Sequence, residues 1–315
     1  MERLTENKII LVVRRTRLEE LIARFNTEDQ ARFYVEHLGA DFSDYQSEDR
    51  RYKQAARDAE NSLSRLGRLQ RLDRAYVPNF IFGDQDTVVV LGQDGLVANV
   101  LKYLDRQPLV GVNPDPDRWE GALLPFTVPD LETVLPAVFN GKRRIRSVTM
   151  AKVTLNSGET LYGVNDLFIG PRTHSSARYT IEIGGASENH SSSGIIVSTG
   201  LGSTGWFRSI LTGATGIASS LSSGSKRKLK NDQAHSFAWD SDYLYFSVRE
   251  PWPSTTSGAE IVFGKITAES PLTLISQMPE HGVIFSDGME ADFLKFNAGS
   301  RAIITVAERK GQIVT

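Results

Sequence analysis

The sequence predicts an α/β amino-terminal domain built on a parallel sheet, followed by a β-rich carboxy-terminal domain. Over the first third of the chain, short continuous β-branched runs alternate with helical stretches, the pattern of a parallel α/β sheet. From about Pro136 onward, closely spaced β-like runs are separated by turn residues, which suits an antiparallel or mixed β domain. The length of 315 residues also suits two domains, at about 150 residues each. The expected division is residues 1–136 and 137–315, with the C-terminal segment free to return to the first domain.

The elements follow in order. Lys8–Val13 (KIILVV) is short and β-branched, as in a strand buried on both faces. The polar turn Arg14–Arg17 leads to a helix expected from Leu18 to about His37. Ser47–Arg74 is charged, with Ala55, Ala59, Leu63 and Leu66 at helical spacing, and reads as one long amphipathic helix. Thr87–Leu91 (TVVVL) is a second buried strand, Gly92–Gly95 (GQDG) a tight turn, Leu96–Leu104 a helix, and Pro108–Val112 (PLVGV) a third strand. In the second half the β-like runs are RSVTMAKVTL, TLYGVNDLFIG, ARYTIEIGG, SGIIVSTG, YLYFSVRE, AEIVFG, LTLIS, GVIFSDG and RAIITVA. Ser219–Asp232 reads as a mobile Ser/Lys/Arg loop.

Composition excludes several classes. Lys plus Arg is 36 against 38 Asp plus Glu, a net charge of −2, so the basic excess of a nucleic-acid binder is missing. There is no cysteine, which removes disulfides, thiolate nucleophiles and cysteine metal sites. No apolar run reaches the ~18 residues of a membrane span, and the first strand-like run is too short for a signal-peptide core. The expectation is a cytoplasmic protein that binds neither nucleic acid nor membrane. The five histidines show no close metal-ligand spacing, so no metal ligands are assigned.

Two motifs carry chemistry. Gly92-Gln93-Asp94-Gly95 lies between a buried strand and a helix, where open α/β sheets bind ligands. Glycines there permit positive φ and close ligand approach, and free N–H groups at the helix start favour phosphate. Asp94 is then a helix N-cap, a general base on a hydroxyl, or separated from the phosphate by a divalent cation. The second motif, Ser193–Trp206, contains Gly200-x-Gly202-x-x-Gly205 after a strand and before the helix-like WFRSIL. A dinucleotide fingerprint needs an acidic residue about 20 positions on, and no Asp or Glu occurs between Glu188 and Asp232. What remains is a loop rich in N–H groups and the hydroxyls of Ser198, Thr199, Ser203 and Thr204. Trp206 at its edge either stacks on a base or packs in the core.

Together these motifs resemble the NAD kinase family, whose pattern is a G-G-D-G-T turn, an Asn-Glu pair and a Ser-Thr-x-x-Gly-Ser-Thr-Ala-Tyr loop. The counterparts, in the same order, are Gly92–Leu96, Asn165-Asp166 and Ser198–Trp206. Gly111–Phe126, Val164–Gly170, the SSARY that follows and RRTRLEE near the N-terminus are most similar to the mitochondrial-type branch. The resemblance spans about residue 8 to the C-terminus. It implies an α/β plus β-sandwich fold, ATP and Mg²⁺ as cofactors, NAD(H) or another small hydroxyl-bearing molecule as substrate, and a homo-oligomer, with a dimer expected. It also implies that Asp94 accepts the proton of the NAD 2′-hydroxyl, that Gly92 and Gly95 shape the phosphate turn, and that Asn165 and Asp166 bind the nucleotide. By the same likeness Ser203 belongs to the substrate loop and Thr204, Gly205 and Trp206 line the base wall. Arg14 and Arg17 are candidates for ATP phosphates, since guanidinium suits phosphate geometry. The active site is expected in the cleft between domains.

Four positions depart from the family pattern: Gln93 and Leu96 in the turn, Asp166 for glutamate, and Trp206 for tyrosine. They motivate two alternatives to an enzyme that makes NADP(H). One is a kinase of the same fold acting on a sugar, nucleoside or modified nucleotide. The other is a non-catalytic nucleotide-binding module. An oxidoreductase using the glycine loop is disfavoured by the missing ribose acid. Asp287-Gly288 reads as a β-turn without a catalytic role.

Overall fold

The computed structural model describes residues 4–221 and 236–315. The chain forms two compact units, Met1–Arg146 with Gln312–Thr315, and Ser147–Gly311.

In the first unit the elements are β1 (Lys8–Val13), α1 (Arg17–Phe25), α2 (Glu28–His37), α3 (Phe42–Leu66), β2 (Arg68–Asp73), β3 (Thr87–Leu91), α4 (Asp94–Leu101), β4 (Pro108–Val112) and α5 (Leu131–Phe139). The strands form a parallel sheet in the order β2-β1-β3-β4. Ile9–Val13 and Val88–Leu91 are fully buried, which is why these runs carry apolar residues without alternation. On one face Ile9, Leu11, Val89 and Val110 meet Ala55, Ala59 and Leu63 of α3 and Leu131 and Leu135 of α5. The helical spacing of the α3 apolar residues is the spacing of that contact.

Two expectations for this unit change. The helix expected over 18–37 is two helices, because Asn26 takes a left-handed conformation (φ 69°) and Thr27 caps α2 by accepting the Gln30 N–H. The helix expected over 47–74 starts earlier, at Phe42, and stops at Leu66. Gly67 closes it through its N–H to the Leu63 carbonyl, and the chain then turns into β2, parallel to β1 from Lys8↔Arg68 to Val13↔Asp73. A Cβ at Gly67 would lie 2.9 Å from Ile9 Cδ1, so a larger residue there would displace the Ile9 side chain.

The second unit holds β5 (Ile145–Leu155), β6 (Thr160–Gly163), β7 (Asp166–Pro171), β8 (Ala177–Ile183), β9 (Ala186–Ser192), β10 (Ile195–Ser198), α6 (Trp206–Leu221), β11 (Leu244–Val248), β12 (Phe263–Ile266), β13 (Leu272–Ser276), β14 (Gly282–Ser286), β15 (Met289–Lys295) and β16 (Arg301–Val314). One sheet is wholly antiparallel, in the order β12-β11-β10-β7-β14-β15. It faces the layer containing β16, β13, β8, β9, β5 and β6, and the two share a core that includes Leu167, Ile169, Val197, Phe246, Tyr179, Ile181, Leu274 and Ile304. This is a β-sandwich. The end of β16 belongs to the first unit, where Gln312 and Ile313 pair in parallel with Pro108 and Leu109.

Strands β9 and β15 were not expected from the sequence, and β12 lies later than the AEIVFG run. Ser219–Leu221, expected to open a loop, close α6 instead; the rest of that loop lies outside the described residues. Among the described residues, no helix is long and apolar enough to cross a membrane.

Tyr52 of α3 ties the first sheet together. Its hydroxyl accepts the Arg14 N–H (2.9 Å) and donates to the Leu91 carbonyl (2.9 Å), so it joins the ends of β1 and β3. Burial pushes its phenol up to about 12, which keeps the donor proton in place. In Tyr52→Phe both backbone groups lose their partner. The expected cost is about 1–3 kcal/mol, read as a lower urea midpoint at unchanged m-value.

Candidate functional site

The first candidate surface lies at the carboxyl ends of β1, β3 and β4. The Gly92 N–H still bonds the Val112 carbonyl (3.2 Å), and the chain then enters α4. Gln93 is the N-cap in an extended conformation (φ −125°, ψ 163°) and makes no side-chain cap bond. A non-glycine residue is therefore unstrained at this position. Neither Gly92 nor Gly95 takes the positive φ that glycine permits. At Gly92 a Cβ would sit 2.7 Å from Leu96 Cδ2, so that side chain would have to shift; Gly95 is exposed, with nothing near its missing side chain.

Asp94 is the first residue of α4, not its cap. Its Oδ1 accepts the Leu123 N–H (2.8 Å) and its Oδ2 the Ala122 N–H (3.0 Å). The carboxylate therefore tethers the loop after β4 while each oxygen keeps lone-pair capacity for another donor. It remains partly exposed.

Arg14 and Arg17 flank the end of β1 and are already in ion pairs. Arg14 Nη2 lies 2.7 Å from Glu48, a side chain only 3% exposed, and Arg17 Nη2 lies 2.7 Å from Asp44. Arg118 also bonds Asp44. The hydrogen bonds from Arg118 and then Arg17 hold the Asp44 carboxyl well below the usual carboxylate range. These acidic partners lie in the first turns of α3, and sequence reading did not single them out. Arg14 is the more enclosed of the two, at 11% side-chain exposure against 37% for Arg17.

The second candidate surface lies wholly in the second unit. Here the turn Val164–Asp166 and the loop Ser198–Trp206 are brought side by side. The Thr199 N–H bonds the Asn165 carbonyl (3.0 Å), and Ser198 pairs with Asp166 across β10 and β7. Gly200 and Gly202 are fixed by this approach: a Cβ on either would collide with a backbone carbonyl, that of Ala238 and that of Asn165 respectively. The Ser203 hydroxyl is buried and bonds the Gly200 carbonyl (2.7 Å), whereas Thr204 and Gly205 are exposed. The Trp206 ring stacks on Phe168, with centroids 5.8 Å apart and planes 6° apart.

Asp287, passed over in the sequence as a turn residue, organises this surface. Its Oδ1 accepts the N–H groups of Val164 (3.0 Å), Asn165 (2.6 Å) and Asp166 (3.3 Å). Three successive amides converging on one carboxylate fix the turn that presents Asn165 and Asp166. The sequence signal was the Asp-Gly pair, with Asp287 at φ 54° and Gly288 at φ 71°. Asp166 is 8% exposed, and among the described residues its carboxyl has no hydrogen-bond partner. Burial, reinforced by the Asp287 charge, pushes its pKa up to about 7. Among the described residues no group of three or more His, Asp or Glu side chains is arranged to hold a metal ion.

No protein-family model matches the sequence, and no curated protein matches it. Solved structures do. An NAD kinase from Archaeoglobus fulgidus in complex with ATP superposes with a TM-score of 0.58 at 15% identity, covering 98% of this chain and 93% of that one. Yeast NADH kinase complexed with NADH superposes with a TM-score of 0.57 at 14% identity, covering 99% and 84%. At these identities the likeness is one of fold: the chain has the NAD kinase-like fold. The two scores do not separate one branch of that family from another.

The Asp166 carboxyl carries a pH signature. Its native pKa of about 7 lies above the ordinary 3.8, so between these values the folded chain holds a proton that the unfolded chain has released. Its contribution to stability is therefore full below about pH 4 and is lost as pH rises to about 7. Asp166→Asn does not titrate. The Tm of the variant minus that of wild type is expected to grow across this window and level off above it; a difference independent of pH would refute the shift.

Proposed function

We propose that the chain is an ATP-dependent, NAD kinase-like phosphotransferase that phosphorylates the 2′-hydroxyl of NAD(H) to give NADP(H), and that it belongs with the mitochondrial-type branch. The observation that carries this reading is Asp94, a partly exposed carboxylate at the end of a central strand and the start of α4, in a chain with the NAD kinase-like fold. The ligands of the two similar structures, ATP and NADH, are of the classes the reaction needs.

In this reading the 2′-hydroxyl oxygen attacks the γ-phosphorus of ATP. The bond from that phosphorus to the β–γ bridging oxygen breaks, ADP leaves, and the hydroxyl proton passes to Asp94. The bonds to Ala122 and Leu123 aim the Asp94 carboxylate while leaving it able to accept that proton. Gly92 and Gly95 shape the turn, and Gly95, having no side chain in open space, leaves room for a ligand. Phosphoryl transfer depends on positioning and on cations at the phosphates. Mg²⁺ carried in with ATP would supply part of that charge neutralisation. Arg14 and Arg17 are assigned to phosphate, with Arg17 the more accessible.

Asn165 and Asp166, held by Asp287, bind the nucleotide sugar, and Thr204, Gly205 and Trp206 form the base wall. Ser203 supports the loop from within. Asp166 is one methylene shorter than the family glutamate and is half protonated near neutrality, so it can donate as well as accept a hydrogen bond to a sugar hydroxyl. That is the observation behind the second reading, a kinase of this fold acting on another hydroxyl.

The test is NADP formation by purified protein from Mg-ATP and NAD or NADH. Asp94→Asn is expected to lower turnover by about 10²–10⁴-fold with nucleotide affinity largely kept. It should also lower Tm modestly, since an amide NH₂ would face a backbone N–H at Ala122 or Leu123. Wild-type turnover in the variant would remove Asp94 from the mechanism. Transfer to another acceptor without NADP formation would favour the second reading.

A further inference from the structure

On β7 and β14 the side chains alternate. Leu167, Ile169 and Ile284 point into the sandwich core, while Phe168, Val283 and Phe285 point to the opposite face. A sheet face turned away from the core is ordinarily polar. Here it is aromatic, and Trp206 and Ile210 of α6 pack onto it. Between them lies a cavity of about 190 Å³, with Phe168, Phe285, Phe293 and Trp206 among its walls and Arg172 and Arg249 beside them. Sites for whole small molecules are usually about 300–1,000 Å³, so this one suits a ring rather than a dinucleotide.

The two arginines set its charge. The Arg172 guanidinium lies 5.1 Å over Phe293, and that of Arg249 lies 5.3 Å over Trp206 and 6.0 Å over Phe168. A guanidinium attracted to a ring face still carries N–H donors able to bond an anion. Arg249 makes one ion pair among the described residues, at 4.0 Å with Glu250, which is itself 71% exposed; a pair so open to solvent is weak and screened. Among the described residues Arg172 has no ion pair, and its guanidinium has no hydrogen-bond partner. Aromatic walls with, among the described residues, one guanidinium free of any ion pair and a second in a single solvent-exposed one complement a flat ring with negative charge at its edge.

We infer that this pocket binds a planar aromatic ring bearing a carboxylate or phosphate. The ring stacks among Phe168, Phe285, Phe293 and Trp206, and the anionic group is held by Arg172 and Arg249. The inference uses no residue of the first unit and no transfer chemistry, so it stands or falls separately from the kinase reading, although Trp206 is shared with the proposed base wall.

The experiment is a ligand-observed NMR titration of the full chain, without ATP, using three probes. Nicotinate and nicotinamide have the same ring and nearly the same shape, and differ in charge; phenyl phosphate carries the alternative anion. Nicotinate or phenyl phosphate is expected to bind about tenfold more tightly than nicotinamide, the effect of roughly one charge-assisted hydrogen bond. The stronger of the two identifies the anion. The preference should vanish in the double variant Arg172→Gln/Arg249→Gln and persist in Arg172→Lys/Arg249→Lys. Equal binding of nicotinate, phenyl phosphate and nicotinamide to wild type would overturn the inference without any variant. So would no binding at all, or a preference that survives the glutamine replacements.

Discussion

Backbone amides at the ends of β-strands and in tight turns lose their ladder partners and must find acceptors. In this chain carboxylates take that part repeatedly. Asp94 accepts the amides of Ala122 and Leu123, Asp287 those of Val164, Asn165 and Asp166, and Glu188 those of Glu260 and Ile261. Each pins a loop against the end or face of a sheet. The geometry of both candidate surfaces depends on these contacts, because Val164, Asn165, Ala122 and Leu123 lie outside the strands, and Asp166 is the first residue of β7.

The same device distinguishes the acidic groups of the two candidate surfaces. Asp94 sits with its oxygens engaged by amides and part of its surface open, so it is oriented before any ligand arrives. Asp166 is buried, unpaired among the described residues and close to the Asp287 charge, so its proton is retained toward neutrality. A carboxyl poised in this way can offer either a proton or a lone pair to a polar group beside it.

The central strands were legible in the sequence, and the edges were not. Lys8–Val13, Thr87–Leu91 and Pro108–Val112 have apolar neighbours on both faces, and that burial is written as continuous β-branched runs. Strands β2, β9 and β15, which were not expected, and β12, which was displaced, each lie at the end of a strand order. An edge strand is paired on one side only and tolerates charge, as RLQRLD and ASENHSS show. RLQRLD was also masked because its leucines continue the helical spacing of α3, and only Gly67 marks the break.

The candidate site divides in the same way. Asn165-Asp166 and the Ser198–Trp206 loop were visible because each is a local run, and the structure places them side by side in one unit. Asp287 was not, because what it holds is 122 residues away from it at Asn165, and no local pattern encodes such a bond. Gly200 and Gly202 let two backbone carbonyls, those of Ala238 and Asn165, come close. A G-x-G-x-x-G spacing can thus arise from chain packing alone. The residue types around it, and the acid it lacks downstream, say more about its chemistry than the glycines do.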